Sequence, residues 1–115
     1  MAANVSGTFS VTLPSPVRSS HPVSIFEPDK ASIREALGRA LFYACRYESA
    51  AAEFHAVADR TPTNDYALFC LGRSMQLLGR HREACKPLAL ASSLRPERED
   101  YRLYRDRARR DAHRA

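Results

Sequence analysis

Long apolar runs are missing from this 115-residue chain, and so is any pattern that holds a metal or a phosphate. No stretch approaches the roughly 20 apolar residues that a membrane-spanning helix needs. The N-terminus has no charged segment followed by an apolar one, so no secretory signal is expected. Cysteine is scarce: Cys45, Cys70 and Cys85 make an odd number without a Cys-x-x-Cys pair. That argues for reduced thiols rather than a disulfide framework, and the expected location is the cytoplasm. The histidines, His21, His55, His81 and His113, form neither H-x-x-x-H nor H-E-x-x-H, so no metal site is expected. A Gly-rich phosphate loop is absent too. The reading is therefore non-enzymatic and free of cofactors. A Cys–His nucleophile pair is a distant alternative, because Cys70 and Cys85 read first as small buried residues in helices.

What is present is enough for one small domain. Hydrophobic residues make up 44% of the chain, and the formal net charge of +5 comes mostly from arginine. That balance favours acidic partners, nucleic acid or anionic surfaces, though only modestly.

Residues 1–28 carry four of the seven prolines and many Ser and Thr residues. They read as a disordered or loosely docked N-terminal arm, in which Val23, Ile25 and Phe26 are candidates to cover an exposed end of the domain. From Asp29 onward the pattern is helical. Asp29 or Ser32 can cap a first helix, whose apolar face is expected to be Ile33, Leu37, Leu41 and Ala44. After a break at "CRYES", Ala50, Phe54, Val57 and Ala58 mark a second helix that stops before Pro62. Asn64 or Asp65 caps a third, with Leu68, Leu71, Met75 and Leu78, closed by Gly79. Ala84, Leu88 and Ala91 mark a fourth, closed by Pro96; Pro87 inside it is expected to kink the helix after Glu83. The charged last segment carries a narrow stripe of Tyr101, Tyr104 and Ala108. The expected fold is all-α: two antiparallel helix pairs and one further helix.

The pairs repeat. Residues 31–64 set against 65–98 match at Leu37 and Leu71, Gly38 and Gly72, Arg39 and Arg73, Arg46 and Arg80, Ala50 and Ala84, and Pro62 and Pro96. Ordinary composition gives about two such identities in a window of this length. A glycine inside a helix costs roughly 1 kcal/mol relative to alanine, so Gly38 and Gly72 need a reason. The expected one is close approach: small residues on the first helix of each pair, with Ala50 and Ala84 on the second, let Leu37, Leu41 and Phe54, and likewise Leu71, Met75 and Leu88, interlock.

The 34-residue period, with Leu71-Gly72-x2-Met75, Ala84-x3-Leu88 and Pro96 in one copy and Leu37-Gly38-x2-Leu41, Ala50-x3-Phe54 and Pro62 in the other, resembles the tetratricopeptide repeat. The resemblance covers residues 31–98 and implies a short stack of helix hairpins over 29–115, capped by a helix at 97–112. Two departures stand out. Arg34 replaces a large aromatic, which suggests an exposed or terminal edge. Cys45 stands where the second copy has the turn glycine Gly79. Two units are few, so self-association, a partner or the arm is expected to complete the core.

The same resemblance implies that the first helices of the pairs line a concave face that receives a peptide or partner protein. Carried onto this chain, the site residues are Arg39, Phe42, Tyr43, Tyr66, Phe69, Arg73 and Gln76, with Glu35, Cys70 and Leu77 beside them. Arg39 and Arg73 suit carboxylates, so the partner is expected to be acidic; the aromatics offer apolar anchors. The bland alternative is solvated arginines and aromatics packed between units. Glu35, Arg39 and Cys70 depart from the constellation that clamps chaperone C-termini, so that ligand is not expected. The leading expectation is a protein–protein interaction module or adaptor. The alternative is nucleic-acid or ribosome association through phosphate contacts by Arg102, Arg105 and Arg109, although interleaved acids leave the tail only about +2.

Overall fold

Five helices follow one another along the chain: α1 (Lys30–Tyr43), α2 (Tyr47–Arg60), α3 (Asp65–Leu77), α4 (His81–Leu94) and α5 (Glu99–Arg114). The structure is a computed structural model, and it describes residues 13–14 and 30–114. Among those residues there is no strand. Each helix packs on the next, so the antiparallel pairs α1–α2 and α3–α4 stack side by side and α5 closes the row on α4 and α3.

The repeat is legible in the backbone. At the tip of each pair one residue takes a left-handed conformation, Cys45 at φ 63° and Gly79 at φ 81°. The next residue donates its N–H back to a carbonyl five residues earlier, Arg46 to Leu41 at 2.8 Å and Arg80 to Met75 at 2.9 Å. This is the Schellman closure of a helix C-terminus. Arg46 and Arg80 then lead into α2 and α4 with nearly the same angles, φ −96°, ψ 70° and φ −92°, ψ 69°. The far ends match too. Thr61 and Arg95 leave the helical region at φ −133°, ψ 84° and φ −133°, ψ 74°, in line with the bias of a residue before proline away from helical backbone, and return their N–H to Val57 and Ala91.

The glycines answer to close approach. A Cβ on Gly38 would lie 2.8 Å from Phe54 Cζ, and one on Gly72 would lie 2.4 Å from Leu88 Cγ. Both partner side chains are buried. The second helix of each pair therefore rests its large side chain where the first has none.

Several expectations need correction. The apolar face of α1 is displaced: Ile33, Leu37 and Ala44 are exposed, while Glu35, Gly38 and Phe42 are buried. The helical period holds, but α2 covers the Gly38–Phe42 side and leaves the Ile33–Leu37 side uncovered. Leu37 therefore does not interlock with Phe54 as expected. Ser32 lies inside α1 rather than capping it. The break at the first tip is shorter than "CRYES", since α2 already begins at Tyr47. As expected, Pro87 lies inside the fourth helix, α4, which runs from His81 to Leu94. The closing helix starts and ends two residues later than expected. Asp29 and the proposed covering residues Val23, Ile25 and Phe26 lie outside the described residues.

Two apolar clusters fill the stack. One joins Leu13, Phe42, Ala50, Phe54, Tyr66, Cys70 and Leu71 between α1, α2 and α3. The other joins Val57, Leu68, Phe69, Ala84, Leu88, Tyr101 and Ala108 between α2, α3, α4 and α5. Met75 touches both. No helix of the described residues is long and apolar enough to cross a membrane.

Candidate interaction site

Helices α1 and α3 present a shared face, and their sequence dictates how they are tied. Asn64 caps α3: its Oδ1 accepts from the Ala67 N–H at 3.1 Å, the N-cap contact that satisfies an otherwise free helix donor. Its Nδ2 reaches across to donate to Glu35 Oε2 on α1 at 2.6 Å. One asparagine thus begins α3 and fixes it against α1.

Along that face the expected residues separate into two groups. Arg39, Tyr43 and Tyr66 come together near Cys70: both Arg39 and Tyr43 act electrostatically on the Tyr66 phenol. Tyr66 is buried, and burial first, then the neighbouring Cys70 thiol, pushes its pKa far up. Its hydroxyl and the Arg39 Nε are buried without a hydrogen-bond partner of good geometry among the described residues. Burial likewise holds the Cys70 thiol protonated well above its usual range; a buried thiol of this kind is inert as a nucleophile. Tyr43 is 48% exposed. Phe42 is buried beneath, with its ring edge-on to Tyr43 at 5.8 Å and to Tyr47 at 5.3 Å.

The remaining three, Phe69, Arg73 and Gln76, sit under α5. Phe69 is buried and stacks on Tyr101 with ring centroids 4.5 Å apart. The Arg73 guanidinium lies 4.1 Å from the centre of the Tyr104 ring and donates to Gln76 Oε1 at 2.9 Å. Burial lowers its pKa from the ordinary arginine value. Gln76 Nε2 donates to the Tyr104 carbonyl at 3.0 Å. Tyr101 anchors α5 from the other side: its hydroxyl donates to Asp65 Oδ2, on the first turn of α3, at 2.7 Å.

One residue of this face was overlooked in the sequence. Arg107 lies 34 positions beyond Arg73, as Arg73 does beyond Arg39, and its guanidinium is 5.3 Å from the Tyr104 ring. Continuing the period into the last helix is the signal that finds it. Leu13 was also overlooked. Its N–H donates to the Tyr43 hydroxyl at 2.9 Å, that hydroxyl faces the Leu13 carbonyl at 3.4 Å, and the leucine side chain is buried in the first cluster. In the sequence Leu13 ends a weak strand-like alternation, Phe9, Val11 and Leu13, with no visible partner strand, and that pattern does not point to α1.

The three tail arginines are spread among internal contacts. Arg102 donates to the Pro96 carbonyl. Arg105 donates to Asp106 at 3.0 Å and to Ser92 Oγ at 3.2 Å. Arg109 is exposed, with Asp106 at 4.0 Å. Elsewhere, a cavity of about 360 Å³ opens between α2, α3 and α4, with Ala58, Leu68, Met75, Pro87 and Leu90 in its wall. Among the described residues no three His, Cys, Asp or Glu side chains are grouped so as to hold a metal ion.

No protein-family model matches the chain, and no curated protein or solved structure matches it either.

Proposed function

We propose that the protein is an interaction module that binds an extended peptide, or a partner protein's extended segment, on the α1 side of the α1–α3 face. The observation that carries this reading is the pair of contacts at Tyr43, whose hydroxyl meets both the N–H and the carbonyl of Leu13. A side chain that engages both backbone groups of a residue recognises chain as chain, whatever its sequence. Buried apolar surface from Phe42, Tyr66 and Leu71 lies alongside to receive a side chain. Arg39 adds a cation, which favours an acidic segment.

The repeat resemblance agrees with this reading, and the charge balance of +5 is compatible with it. The adaptor role, the acidic partner and a cytoplasmic setting belong to the same proposal. Phosphate binding through α5 is the weaker alternative, because Arg102 and Arg105 already hold groups of their own chain.

An array of short peptides of varied charge, probed with the full chain, tests the reading. Acidic, leucine-bearing peptides are expected to bind, and Arg39→Glu is expected to weaken them about tenfold or more while sparing neutral ones. An array without bound peptides removes the proposal.

A further inference from the structure

Leu13 is far from α1 in sequence and close to it in space. It is 5% exposed and belongs to the apolar cluster that includes Phe42, Phe54, Tyr66, Cys70 and Leu71. Pro14 follows it, and a residue before proline is driven to extended backbone. An extended backbone presents its N–H and carbonyl sideways, where a single hydroxyl such as that of Tyr43 can meet both.

From this geometry we infer that the α1–α3 face is a receptor for an extended leucine-bearing segment, and that Leu13 of the same chain occupies it until a partner displaces the arm. The inference rests on the reading of this face as a peptide site and specifies its resting occupant.

Three features make the own arm the right occupant. Sixteen residues separate Leu13 from Lys30. A covalent link at that separation makes binding in cis intramolecular, which favours the chain's own segment over a free one of equal affinity. Among the described residues the contact is small: the Leu13 side chain in the apolar cluster and the Tyr43 hydroxyl on its backbone. It is therefore readily exchanged, unlike the aromatic stacking that holds α5. Finally, the arm leaves recognition capacity unused. The Arg39 Nε has no hydrogen-bond partner among the described residues, and the Tyr66 hydroxyl has only the Cys70 thiol beside it. A partner that brings an acceptor to the Arg39 Nε adds a contact that Leu13 and Pro14 do not make.

The test uses the full chain and a fluorescent peptide of residues 8–18, TFSVTLPSPVR. Wild-type protein is expected to bind this peptide poorly. Leu13→Asp, which vacates the site in cis, is expected to bind it at least tenfold more tightly. The same peptide with aspartate in place of its leucine is expected to bind neither protein. Equal affinity of wild type and Leu13→Asp for the peptide, or none for either, overturns the inference. A second readout does not depend on that variant. Hydrogen exchange at the Leu13 amide is expected to be slowed about tenfold or more in wild type, and to return to the free-peptide rate in Tyr43→Phe. Free-peptide exchange in wild type overturns the inference as well. Concentration-dependent dimerisation that Leu13→Asp abolishes shows that the arm is delivered by a second copy, and overturns the assignment in cis. The outcomes also separate this inference from the broader function. Array peptides that bind without any effect of Leu13 leave the peptide site standing and remove the plug. Arm binding with an empty array does the reverse.

Discussion

The two helix pairs share a register and differ in what surrounds them. Ile33 and Leu37 on α1 are 55% and 46% exposed, whereas Ala67 and Leu71, their equivalents on α3, are 0% and 6% exposed. Nine consecutive residues of α3, from Tyr66 to Ser74, are buried. A helix buried all round belongs inside a stack, and one with a single covered stripe belongs at its end. The same local pattern thus gives an inner element in one copy and an outer one in the other. Position in the row decides which side chains lose their water.

The outer end of the second pair is closed by α5, and breaking that closure has the largest expected effect. Tyr101 is wholly buried, stacked on Phe69 and bonded to Asp65. Tyr101→Ala is expected to cost about 4 kcal/mol, as for other large aromatic truncations, and to turn α3 into an end helix like α1. Urea unfolding measures the loss. A loss below about 1 kcal/mol means that α5 is not what makes α3 an interior helix.

The glycine contacts give a smaller and more direct comparison. Alanine at either position gains helix propensity but meets a packed side chain. The intrusion is worse at Gly72, where the branch carbon of Leu88 would lie 2.4 Å away, than at Gly38, where the far edge of the Phe54 ring would lie 2.8 Å away. Gly72→Ala is expected to destabilise by about 2 kcal/mol and Gly38→Ala by about 1, within the range for overpacked cores. Equal or stabilising effects in the same unfolding measurement mean that the pairs are not held at glycine-limited separation.

How much of this could be read in advance follows from the range of the interactions involved. The 34-residue period, the prolines after α2 and α4 and the Asn64 cap are local, and each left its mark in the sequence. The covered side of α1 is not local: Ile33, Leu37 and Phe42 are all apolar, and only the position of α2 decides that Phe42 is the buried one. Phe69 looks like a surface anchor until Tyr101, 32 residues later, is laid on it. Arg73 looks solvated until Tyr104 arrives from the last helix. Arg107 was within reach, had the period been continued through the charged tail. Leu13 was not, because its recognition depends on a hydroxyl 30 residues away.

The tips of the two pairs sharpen the comparison at its smallest scale. Gly79 has nothing within 4 Å of where its Cβ would be, so space does not require a glycine there; its φ of 81° does. Cys45 makes the same turn at φ 63° with a side chain attached. Left-handed backbone costs a non-glycine residue about 1 kcal/mol or more. What Cys45 gains in return is a 3.6 Å contact from the Tyr47 hydroxyl to its Sγ, which is exposed and weak. Cys45→Gly is therefore expected to stabilise the protein by roughly 0.5–1 kcal/mol, after allowing for the greater freedom of glycine in the unfolded chain. Gly79→Ala is expected to destabilise by about 1 kcal/mol for the converse reason. If unfolding in urea shows Cys45→Gly to be the less stable protein, the sulfur contact outweighs the backbone strain, and the first tip is held by its side chain where the second is held by its conformation.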